Sequence, residues 1–268
     1  MIRSLYTGVS GLRGFQTKLD VIGNNIANVN TVGYKKSRVM FQDVLSQNIK
    51  GATAPSEEGR GGVNPMQVGL GSQVASIEMA FTAGSPMTTN LPTDLSIEGD
   101  GFFVVSEGAD GPTYYTRAGN FTRDANGYLV NSQGLYLQGD TGNIQIPRAD
   151  YTSYSIGQDG SVVGVTADGT IETIATVYVK TFENPAGLRK IGNSLYENTL
   201  NADGEGATEA ATPAELGVNI ISGQLEMSNV DLSEEFTEMI TAQRGFQANS
   251  RIITTSDSVL EELVNLKR

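Results

Sequence analysis

The chain has 268 residues, among them 32 Gly, with 18% charged and 7% aromatic residues and a net charge of −12. It contains no Cys, His or Trp, which excludes thiol nucleophiles, Ser–His triads and zinc, haem or iron–sulfur centres, and leaves acid–base work to carboxylates, Lys and Tyr. No cofactor or metal is expected, the acidity argues against nucleic acid, and neither a membrane span nor a secretory signal is legible. The charge is uneven: residues 1–50 carry net +5, residues 51–227 net −14 and residues 228–268 net −3.

The first thirty residues predict a helix with a seven-residue apolar repeat. One row is Leu5, Leu12, Leu19 and Ile26, and the second is Gly8, Phe15, Ile22 and Val29, an a/d pattern over four heptads. Gly8, Gly11, Gly14 and Gly23 each cost about 1 kcal/mol relative to Ala, and Asn24, Asn25 and Asn28 are poor helix formers, so this helix is firm only when packed. It stops near Asn28–Thr31, with Gly33 suited to a left-handed cap and Lys35 and Lys36 suited to the negative end of the dipole.

Residues 46–72 hold six Gly and two Pro and read as a linker, but Val63, Met66, Val68 and Leu70 are out of place in a solvated tether. The expectation is that this stretch orders only against a neighbouring subunit. From Leu95 to Phe182 the apolar period falls to two. Turns at Asp100-Gly101, Asp110-Gly111, Asn126-Gly127, Asp159-Gly160 and Asp168-Gly169 separate short strands at Phe102–Ser106, Thr113–Arg117, Tyr128–Val130, Ser161–Val165 and Thr170–Ile174. This spacing predicts an antiparallel sandwich or barrel-like domain. Residues 201–215 read as a loop.

The last forty residues predict a second helix, about Asn229 to Leu266, with Leu225, Leu232, Met239, Phe246, Ile253 and Leu260 every seven residues and Phe236, Ile240, Leu263 and Val264 widening the stripe. Ser228 and Asp231 resemble a capping box, and Lys267 and Arg268 close the far end. The fold expectation is α+β: terminal helices (1–33 and 228–268) packed as a coiled-coil-like pair for assembly, an extended inter-subunit segment (34–80) and a central β domain (81–227). The helices are too apolar to be covered by each other alone, so copies of the chain are the economical partner.

Competing chemistry finds little support. No Asp-Gly segment completes a calcium loop, no Gly-rich loop is followed by a P-loop Lys, and Glu57-Glu58 and Glu234-Glu235 sit in a polar linker and at a helix start. A carboxylate hydrolase and a stalked surface adhesin are the rival classes. The adhesin would carry a signal or an anchor.

The stretch Leu19-Asp20-Val21-Ile22-Gly23-Asn24-Asn25-Ile26-Ala27-Asn28-Val29-Asn30-Thr31-Val32-Gly33-Tyr34-Lys35 resembles the N-terminal signature of the bacterial flagellar rod and hook proteins. Glu226 to Asp231, Ala242 to Ser250 and Leu263 to Leu266 resemble its closing motif. Ile97 to Phe103, Tyr115 to Phe121 and Leu188 to Tyr196 resemble its β-domain motifs. The resemblance spans nearly the whole chain. It implies a homopolymer forming a hollow helical tube, unfolded export by the flagellar type III apparatus, and partners among rod, hook-cap and hook–filament junction proteins. The length suits a distal rod protein or a short Gram-positive hook; the ending Ile252–Asp257 is the more hook-like, so a short hook is the favoured expectation and a distal rod protein the alternative. The residues expected to carry self-assembly are Leu5, Leu12, Phe15, Leu19, Ile22, Asn24, Asn25, Ile26, Asn28, Leu232, Phe236, Met239, Phe246, Ile253, Leu260 and Val264, with the three Asn fixing register between subunits or capping the helix.

Overall fold

A computed structural model describes residues 2–53, 61–108, 111–204 and 210–266. Glu57, Glu58, Asp110, Lys267 and Arg268, each singled out in the sequence, lie outside them. The chain forms two compact units: one from residues 1–26, 37–79 and 231–268, the other from residues 27–36 and 80–230.

In the first unit, α1 (Ile2–Ala27) runs through Asn24 and Asn25 and ends just before Asn28. A four-stranded arm follows, in the stretch that includes the expected linker. Strand β1 (Ser37–Asp43) pairs with β4 (Ser72–Met79), and β2 (Gln47–Lys50) pairs with β3 (Met66–Val68). A further bridge joins Thr53 and Val63. The paired strands among the described residues of this arm satisfy each other's backbone groups within one chain.

Helix α4 (Leu232–Asn265) completes this unit. It starts three residues later than the sequence suggests. Asp231, not Ser228, is the N-cap, accepting hydrogen bonds from the Ser233 and Glu234 amides at 2.8 and 3.5 Å. Glu234 and Glu235 follow in the first turn, as the dipole favours.

The second unit is β-rich, and every strand pairing among its described residues is antiparallel. It holds β5 (Pro86–Thr88), β6 (Leu95–Glu98), β7 (Phe102–Ser106), β8 (Thr113–Thr116), β9 (Thr122–Arg123), β10 (Leu129–Val130), β11 (Tyr136–Gly139) and β12 (Gly142–Asn143). Then come β13 (Tyr151–Ile156), β14 (Ser161–Thr166), β15 (Ile171–Thr176), β16 (Val179–Lys180), β17 (Arg189–Gly192) and β18 (Leu195–Glu197). The loop expected at 201–215 contains two short helices, α2 (Leu200–Asp203) and α3 (Pro213–Leu216), before β19 (Asn219–Ser222) and β20 (Gln224–Glu226).

The main sheet runs β17-β18-β8-β7-β11-β10-β9, with β12 on β11 and β16 on β7. Its ends do not pair, so among the described residues there is no closed barrel, which corrects that part of the expectation. The meander β13-β14-β15 and the pairs β19-β6 and β20-β5 stand as separate sheets. Phe103, Val105, Leu137, Ile144, Ile146, Val177 and Ile220 form the centre of one apolar core. Beside it, edge-on aromatic contacts link Phe102 to Phe81, Phe182 and Tyr196. Among the described residues, no helix is long and apolar enough to cross a membrane.

Candidate self-assembly surface

Helices α1 and α4 run antiparallel against each other. Positions rise along α1 as they fall along α4: Gly8 meets Ile253, Gly11 meets Asn249, Phe15 meets Gly245, Lys18 pairs with Glu238, and Asn25 donates to Glu235 at 3.2 Å. The glycines make this approach possible. A Cβ on Gly245 would stand 2.5 Å from the Phe15 ring, and one on Gly11 would stand 2.8 Å from the Asn249 side chain. Glycine thus permits close helix approach within a single chain.

The predicted residues differ in exposure. Ile22 and Asn25 are buried, and Leu5, Leu12, Phe15, Leu19, Ile26, Met239, Ile253 and Leu260 are half-buried. Leu232, Phe236, Phe246 and Val264 are exposed, as are Ile240, Val259 and Leu263. The row of α4 that the sequence did not single out is Glu235, Ala242, Asn249 and Ser256, at most half-exposed and mostly polar or small. An apolar search cannot find such a row. Its consequence is that α4 places two of its apolar strips, Leu232–Phe236–Ile240 and Val259–Leu263–Leu266, outside the seam.

The Asn residues differ in burial. Asn25 is 1% exposed and clamps the chain to itself: its amide donates to the Ser37 carbonyl at 2.8 Å and its oxygen accepts from the Ser37 amide at 3.0 Å. Asn28 accepts from the Thr31 hydroxyl at 3.1 Å, a local turn contact. Asn24 is exposed.

In the second unit, residues 33–36 are held by a buried ionic cluster that the sequence reading missed. Gly33 has φ +66° and donates its amide to the Glu226 carbonyl at 2.8 Å. A Cβ there would stand 2.5 Å from the Ala118 amide nitrogen, so both the left-handed conformation and the close approach require glycine. Lys35 is fully buried rather than placed at the end of the helix dipole. Its ammonium donates to Glu226 Oε1 at 2.5 Å and to the Thr82 carbonyl at 2.8 Å. Glu226 Oε2 accepts from Arg117 at 3.3 Å, and Arg117 also donates to the Gly99 carbonyl at 2.8 Å. Burial holds the Lys35 ammonium below its ordinary pKa, with the Glu226 carboxylate opposing that shift. Nearby, Asn229 accepts from the Lys36 amide at 2.7 Å and donates to the Ala80 carbonyl at 2.8 Å. These contacts tie residues 33–36, 80–84 and 226–229 together, the segments next to α1, the arm and α4 in the sequence.

Comparison with known proteins agrees with this architecture. Residues 5–35 match the family model described as flagella basal body rod protein. Residues 96–164 match the flagellar hook protein FlgE/F/G D1 domain, and residues 221–266 the flagellar basal body rod FlgEFG protein C-terminal region. The flagellar basal-body rod protein FlgG of Bacillus subtilis strain 168 is 53% identical over 270 aligned residues, covering all of both chains. The FlgG protein of Borreliella burgdorferi is 40% identical over 275, again covering all of both. The flagellar hook protein FlgE of Borreliella burgdorferi is 30% identical over an aligned span of 446, with both chains fully covered.

Proposed function

From the premise that the chain belongs to the bacterial flagellar rod and hook protein family, and is thereby a structural subunit of the flagellar axial structure, we propose that it is a distal rod subunit. It polymerises through its terminal helices and paired arm into a hollow tube that carries motor torque and passes exported flagellar proteins. The observation that carries rod over hook is length. The rod relatives align over 270 and 275 positions, close to the 268 residues of this chain, whereas alignment with the hook relative spans 446. That margin outweighs the hook-like ending at Ile252–Asp257. Family members polymerise in the axial structure. For this chain the proposed partners are further copies of itself, neighbouring rod and hook proteins including the hook cap and hook–filament junction proteins, and the type III export apparatus, which would take it without a cleaved signal peptide.

Complementation decides between the two. In a strain lacking its own distal rod protein, this chain should restore basal bodies with a full-length rod, seen by electron microscopy, and should not restore hooks in a strain lacking hook protein. Restoration of hooks alone would overturn the rod assignment.

A further inference from the structure

The groove between α1 and the arm has no occupant among the described residues. It measures about 430 Å³ and is lined by Tyr6, Val9 and Arg13 of α1 and by Val44 and Val74 of the arm, among others. Tyr6 is 71% exposed and Val9 38%. Helix α1 turns Gly8 and Gly11 toward α4, so this face lies away from the seam. Resting on the assembly reading above, we propose that the groove takes the C-terminal part of α4 from a second copy of the chain.

Three observations select that occupant. Val259, Leu263 and Leu266 form a strip of α4 at spacings of four and three, and all three are exposed. Such a strip is the pattern of a helix laid into a groove. From Val259 to Leu266 is about 10 Å of helix at 1.5 Å per residue, and Tyr6 to Arg13 covers the same length of α1. Charge matches as well. Arg13 is exposed at the groove, Glu262 lies beside the strip, and neither forms an ion pair among the described residues. The basic first fifty residues and the acidic last forty-one extend the same complementarity.

The absence of Cys makes a clean test. Two singly substituted proteins, Val9→Cys and Leu263→Cys, are mixed, polymerised and oxidised. A disulfide needs Cα atoms within about 7 Å, so a covalent heterodimer on a non-reducing gel reports the groove filled by the second copy. It should form in tubes and be absent from dilute monomer. Wild-type tubes alongside mixed tubes without heterodimer would overturn the groove proposal alone, whereas a wild-type protein that never forms tubes would overturn the assembly reading with it. As an independent arm, Arg13→Glu should raise the protein concentration needed for tubes about tenfold, and adding Glu262→Arg should reverse most of that rise. A rise that the second substitution does not reverse also counts against the groove.

Discussion

Single residues carry two sharp consequences in the β-rich unit. Glu226 is the only carboxylate bonded to both Lys35 and Arg117 among the described residues, and all three are at least 95% buried. Glu226→Ala would leave two buried cations unpaired, so unfolding by urea should show a loss of about 3–5 kcal/mol. Tyr196 presents the opposite case. It is completely buried in the aromatic cluster, and its hydroxyl has no hydrogen-bond partner among the described residues. Tyr196→Phe should therefore raise stability by about 1 kcal/mol. Burial also pushes the Tyr196 pKa well above the ordinary tyrosine value. A raised folded-state pKa gives stability that is intact below the unfolded value near 10 and lost as pH climbs beyond it. The depressed pKa of Lys35 acts with the reverse sign. Comparing wild type with Tyr196→Phe isolates the tyrosine: the advantage of the variant should grow between about pH 10 and 12, and a constant difference would contradict the assignment.

Among the elements, the helix seam and the exposed strips of α4 can be tested separately. Gly245→Val drives a side chain into the Phe15 ring and should destabilise the helix pair by about 1–3 kcal/mol, with Phe15→Ala in the same chain relieving most of it. Helical circular dichroism on thermal melting reads both. Phe236→Asp alters an exposed position, so the monomer melt should move by no more than about 0.5 kcal/mol while tube formation is lost. Normal tubes from this variant would remove the outer strip from the interface. This division was only half legible in the sequence. The period of seven gave α1 and α4 with ends a few residues off, and the Asn-Gly and Asp-Gly pairs marked real turns, with Gly127, Gly160 and Gly169 all at positive φ. The inner row Glu235–Ala242–Asn249–Ser256 escaped because its members are polar or small, which no hydrophobic pattern records. Lys35 escaped because its carboxylate lies 191 residues away. The arm escaped because its two long strands pair across a polar, Gly-rich stretch, and composition describes residues rather than partners.

At the scale of the whole molecule, the two units differ in what holds them. The β-rich unit has its own apolar core, whereas α1 and α4 meet through glycine, asparagine and half-exposed aliphatic groups. Limited proteolysis of dilute protein should cleave the helices first and leave residues 80–230 intact, and polymerised protein should resist at both. Equal resistance of helices and β unit in the monomer would mean that the seam suffices by itself. If it does not suffice, the thin seam sets the kinetics of growth. Starting a new tube in bulk solution requires several copies to order their helices at once, each without a finished neighbour, while lengthening an existing tube requires one. The expected behaviour is a long lag in unseeded solution, abolished by adding short tube fragments, and a sharp threshold concentration below which nothing grows. A subunit built this way spreads harmlessly as monomer and solidifies only at a tip that is already there.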